Sequence, residues 1–129
     1  MQTSKSFRFL LVSDSADDHG NQVLREALAT LGYLQSTAEG DMESRLQGYA
    51  YDVVIVDAGA VKSAPEVVTR VQALDPDTKA VVVTASPHWK IAKAVIQAGA
   101  ADYLSKSLNK EKIVSSFRTI LEEFPLAEP

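Results

Sequence analysis

Residues 79–106 read KAVVVTASPHWKIAKAVIQAGAADYLSK. The run KAVVVTA (79–85) is dense in β-branched residues and too short for a helix, so it reads as a strand. From Pro87 the period changes. In PHWKIAKAVIQAGA, Ile91, Val95 and Ile96 are spaced to turn inward from one helix, and Gly99 stands where that helix should stop. ADYLS (101–105) then reads as a second strand. Strand, helix and strand within 28 residues form a βαβ unit, whose two strands must run parallel with a right-handed crossover. The unbroken apolar run VVV suits a strand buried on both faces.

The same alternation extends outward through the chain. Further strands are expected at FRFLLV (7–12), YLQST (33–37) and DVVIVD (52–57). NQVLREALATLG (21–32) places Val23, Leu24, Ala27, Leu28 and Leu31 on one helical face, with Gly32 as its stop. DMESRLQ (41–47) is a shorter helical stretch. APEVVTRVQALDP (64–76) opens with Pro65 in a first turn and must end before Pro76. NKEKIVSSFRTILEEF (109–124) carries Ile113, Val114, Phe117, Ile120 and Leu121 on one stripe. Five βα units predict an α/β fold, a five-stranded parallel sheet with helices on both faces. In such sheets ligands bind beyond the carboxyl ends of the strands.

Composition narrows the function classes. The chain has 129 residues, suited to one domain, and a net charge of −4 with no basic run, which argues against a general nucleic-acid binder. It has no cysteine, so disulfides, thiol catalysis and thiolate metal sites are excluded. The apolar run near the N-terminus is broken by Arg8 and too short for a signal-peptide core or a membrane span. A soluble cytoplasmic protein is expected.

The strand ends hold the chemistry. FLLVSDSADDHG (9–20) places Ser13 and Asp14 after the first strand; Asp57 follows the third, Thr84 the fourth and Lys106 the fifth. Carboxylates, hydroxyls and an ammonium brought to one sheet edge supply oxygen ligands for a hard cation such as Mg²⁺, an accepting carboxylate, and donors for a phosphoryl group. Plain structural readings stand beside these: Asp14 as a helix cap, Thr84 as an ordinary strand residue, Lys106 as a solvated lysine, Asp17 and Asp18 as loop charges. His19 and His88 have no partner at metal-ligand spacing.

VVVTASPHWKIAKAVIQAGAADYLSKSL (81–108) resembles the fourth strand through fifth loop of response-regulator receiver domains, and YDVVIVD resembles their third strand. The resemblance covers residues 7–123 and implies the flavodoxin-like strand order 2-1-3-4-5, with a receiver domain over 1–124 and a tail or linker over 125–129. It implies a signalling module rather than an enzyme. Asp57 would take a phosphoryl group from a histidine kinase or phosphotransfer protein, Asp14, Asp57 and the carbonyl of Gly59 would bind Mg²⁺, and Lys106 and Thr84 would contact the phosphoryl oxygens. Thr84 and Tyr103 would then shift together and change affinity for a downstream protein or fused effector, through the face of the fourth helix, fifth strand and fifth helix. Neither direct nucleic-acid nor membrane contact is implied.

Three positions depart from the family pattern. Ser13 replaces the first of two adjacent acids, which removes one charge and weakens a cation site. Val61 stands where Pro is frequent four residues after the acceptor, and Ser107 stands where a Pro, commonly cis, follows the lysine. A non-proline cis bond costs about 2.5–4 kcal/mol, so a trans bond is expected there. These departures support an alternative, a pseudo-receiver that acts as an interaction module without phosphorylation. A cofactor or nucleotide binder of flavodoxin type fits less well, because SDSADDHG would repel a phosphate.

Overall fold

The computed structural model describes residues 7–13, 19–106 and 109–122, apart from the side chains of residues 19 and 20. Five strands form one parallel sheet: β1 (Phe7–Val12), β2 (Gly32–Thr37), β3 (Val53–Asp57), β4 (Lys79–Thr84) and β5 (Asp102–Ser105). Their order is β2-β1-β3-β4-β5, as the resemblance implied. Five helices connect and cover them: α1 (His19–Leu31), α2 (Met42–Gly48), α3 (Ala64–Leu74), α4 (Trp89–Gln97) and α5 (Lys110–Glu122). Single 3-10 turns stand before α2 (Glu39–Asp41) and after β3 (Ala58–Ala60).

Alternation along each strand divides the core into two layers. Leu10, Val12, Val54, Val56, Ala80 and Val82 pack with Met42, Val67, Val68, Val71 and Val95 beneath α2, α3 and α4. Phe9, Leu11, Val53, Ile55, Val81 and Val83 pack on the other face with Leu24, Leu28, Ile113 and Phe117 of α1 and α5. Each fully buried Val or Leu stabilises by about 1.5–3 kcal/mol, so strands apolar on both faces are the dominant source of stability. The rings of Phe9 and Phe117 meet edge to face, with centroids 6.2 Å apart.

One expectation is extended and one is corrected. Gly32 directly follows the last residue of α1, as expected of its stop, and is at the same time the first residue of β2, paired with Phe7. A Cβ there would sit 2.2 Å from the Phe7 carbonyl oxygen, so close approach of the β1 backbone requires glycine. On α4, Val95 is fully buried, but Ile91 and Ile96 are 40% and 48% exposed. The inward face is centred on Val95 and flanked by the half-buried Ala92 and Ala98, at i±3 rather than i±4. Gly99 ends α4 as expected, at φ 114°. Helix α3 also begins and ends as expected, with Pro65 in the first turn and Asp75 before Pro76, and the Ser63 hydroxyl caps it. Residues 123–129, which contain the expected tail, lie outside the described residues.

Candidate functional site

Strand parity decides which side chains meet. Position 57 shares the α1/α5 face with Val53 and Ile55, and position 13 continues the face of Phe9 and Leu11. The Ser13 amide donates to the Thr37 carbonyl at 2.9 Å, which anchors this residue to the end of β2. On the other side of β3, the Lys106 amide donates to the Thr84 carbonyl at 2.8 Å, extending the β4–β5 pairing by one residue. Asp57 lies between them, opposite Val83.

Asp57 is 2% exposed. Four donors converge on its carboxylate. Lys106 Nζ lies 2.9 Å from Oδ1, and the Gly59 amide donates to the same oxygen at 3.2 Å. Ser13 Oγ donates to Oδ2 at 2.9 Å, and Asn21 Nδ2 to the same Oδ2 at 3.1 Å. Asn21 Nδ2 also donates to Ser13 Oγ at 3.0 Å, closing a three-membered ring of hydrogen bonds. The Lys106 side chain is only 7% exposed, so water screens the pair little and either charge would be stranded without the other.

Asn21 was not foreseen. It is fully buried in the first turn of α1, and α1 covers the face on which Ser13 and Asp57 lie. An amide in the opening turn of an amphipathic helix, on the side that covers the end of β1, was the available signal.

Of the expected residues, Asp57, Lys106 and Gly59 come together with Ser13. Thr84 is buried, and its hydroxyl accepts from the Ser86 amide at 3.1 Å. Asp14, Asp17, Asp18 and Ser107 lie outside the described residues, as does the question of the Lys106–Ser107 bond; no described peptide bond is cis. The turn after Asp57 is an ordered 3-10 turn capped by the Asp57 side chain, with Val61 just beyond it.

Tyr103 is half-buried against the α2/α3/α4 layer, and its hydroxyl accepts from the His88 amide at 3.1 Å. His88 caps α4, its Nδ1 accepting from the Lys90 amide at 3.1 Å. Trp89 is 68% exposed, stacked on the His88 ring with Lys90 above its own ring. An open groove runs beside the turn that follows Asp57, lined by Gly59, Lys62, Thr84, Ser86, Ile91 and Tyr103.

A hard divalent cation needs several oxygen ligands. The Asp57 carboxylate and the Ser13 hydroxyl fit in kind, but Oδ2 already accepts two hydrogen bonds. Among the described residues, no three of His, Cys, Asp and Glu cluster as a metal site.

The sequence model of the response regulator receiver domain matches residues 10–118, most of the chain. The chain belongs to that family. Receiver domains are signalling modules of two-component systems. Many solved structures share the fold, as their TM-scores show. A response regulator from Thermotoga maritima superposes with a TM-score of 0.83 at 20% identity, covering 92% of this chain and all (100%) of its own. A CheY-like receiver domain protein from Methanospirillum hungatei gives 0.77 at 20% identity, with 92% and 96% covered. An orphan response regulator of H. pylori gives 0.76 at 21% identity, with 90% and 97% covered. A search of curated proteins found no match. No described helix of this receiver domain is long and apolar enough to cross a membrane.

Proposed function

We propose that this receiver domain accepts a phosphoryl group on Asp57 from a phosphohistidine of a histidine kinase or phosphotransfer protein, and thereby regulates a partner protein or fused effector. The observation that carries the reading is the buried contact of 2.9 Å between Lys106 Nζ and Asp57 Oδ1. A carboxylate oxygen of Asp57 attacks phosphorus, the P–N bond breaks, and the donor imidazole leaves with its electron pair. Lys106 follows the charge from carboxylate to phosphoryl oxygens, and the Thr84 hydroxyl donates to them after releasing the Ser86 amide. Asp14, Asp57 and the Gly59 carbonyl are the groups proposed to hold Mg²⁺. When bound, the cation neutralises charge on the phosphoryl oxygens. Exposed Trp89, Ile91 and Ile96 on α4 support output through that face.

Treatment with acetyl phosphate and Mg²⁺, followed by mass spectrometry, tests this reading. Addition of one phosphoryl group to wild type and none to Asp57→Asn is expected; an unmodified wild-type chain overturns it. The hydrogen bonds of Ser13 and Asn21 to Oδ2 favour a second reading, a phosphorylation-independent interaction module. That reading predicts the unmodified result.

A further inference from the structure

The geometry points to Asn21 as a positioning residue that, with Ser13, occupies Asp57 Oδ2 with neutral hydrogen-bond donors and competes there with a divalent cation. This deepens the proposed acceptor function but rests on the surroundings of Asp57 alone. Oδ2 accepts from Ser13 Oγ at 2.9 Å and from Asn21 Nδ2 at 3.1 Å, while Asn21 also donates to Ser13 at 3.0 Å. One amide nitrogen thus uses its two hydrogens on the two oxygens beside it. Oδ1 is held separately, by Lys106 and the Gly59 amide. Hydrogen-bond donors and a cation seek the same lone pairs, and a donor cannot share a lone pair with a metal. A cation arriving at Oδ2 therefore has to displace or reorient both donors. Ser13 lowers cation affinity twice over, by bringing no charge and by donating where a carboxylate would ligate. Asn21 makes the arrangement rigid, because it is fully buried and presented by α1. Asp57 is consequently held in place without a bound metal.

The test is a Mg²⁺ titration of the full chain, followed by backbone amide shifts of Asp57 and Gly59, in wild type, Asn21→Ala and Ser13→Ala. Loss of one hydrogen bond to the carboxylate should tighten the apparent Kd about tenfold in either variant. Damage to the fold weakens binding, so tightening separates competition from a merely structural role. Thermal unfolding of each variant identifies any that fails to fold, and the other then carries the test. Unchanged affinity in the folded variants overturns the inference. So does weaker binding in Asn21→Ala, which would make the amide oxygen a ligand. Acetyl phosphate labelling of wild type is read separately: labelling without tightening rejects the competition and leaves the acceptor reading, whereas tightening without labelling does the reverse.

Discussion

The ammonium of Lys106 lies 2.9 Å from the carboxylate of Asp57, and the two side chains are 7% and 2% exposed. They arrive from β3 and from the residue just past β5, two strands separated in the sheet by β4. Removing one partner of a buried pair leaves the other charge without its counterion. Lys106→Met should therefore lower stability by about 3 kcal/mol, read from the urea midpoint. A loss below about 0.5 kcal/mol would show that water reaches Asp57 and replaces the lysine.

Thr84→Val removes a hydroxyl at nearly constant volume, and the lost acceptor for the Ser86 amide lies at the mouth of the open groove. Stability should fall by about 1 kcal/mol. Under the acceptor reading, acetyl phosphate still labels Asp57, but the amide shifts that labelling produces in α4 disappear. Wild-type shifts in the variant would remove Thr84 from the response.

Tyr103→Phe deletes the acceptor of the His88 amide while keeping the ring against its layer. Hydrogen exchange at His88 should quicken about tenfold, with global stability changed by less than about 1.5 kcal/mol. An unaltered exchange rate would show that the phenol oxygen does not hold the start of α4.

Gly32→Ala and Gly48→Ala form a matched pair. The first puts a methyl group 2.2 Å from the Phe7 carbonyl oxygen, and the second meets nothing within 4 Å. The first should cost about 2 kcal/mol or more through forced separation of β1 and β2. The second, at the last residue of α2, should stabilise by up to about 0.5 kcal/mol. Thermal unfolding of the two variants decides the matter, and equal melting temperatures would contradict the tight strand contact.

Phe117→Ala removes the α5 ring that meets Phe9 edge to face. Both residues are fully buried, so the expected loss is about 3–5 kcal/mol in chemical denaturation. A loss near 1 kcal/mol would mean that α5 settles onto the sheet and fills the space.

Much of this was legible in the sequence for a simple reason. VVIV and AVVV are short, β-branched and apolar at every position, a pattern suited to a strand covered on both faces, and the residues at their ends could be read off directly. Asp57 and Thr84 are found that way, and Lys106 at the end of the less apolar ADYLS. Ile91 and Ile96 were misassigned because α4 is only nine residues long and lined by alanines, so two different stripes fit the same letters. Gly32 serves two ends at once, a helix stop and a close approach of paired strands, and only the first is legible in the letters. Asn21 is not visible at the strand ends because it enters the site from the first turn of α1. Parity would have led to it: positions 13 and 57 face α1, and Thr84 faces the other layer with Val82.

The contact between Gly32 and Phe7 reaches further than its own corner. The pairing it permits runs residue by residue from Phe7↔Gly32 to Val12↔Thr37, and Thr37 then supplies the carbonyl that holds the Ser13 amide. Alignment at the amino-terminal edge of the sheet is thereby transmitted along two strands to the opposite edge. A glycine, with no side chain at all and at the opposite edge of the sheet, acts as the origin from which the position of Ser13 against Asp57 is measured.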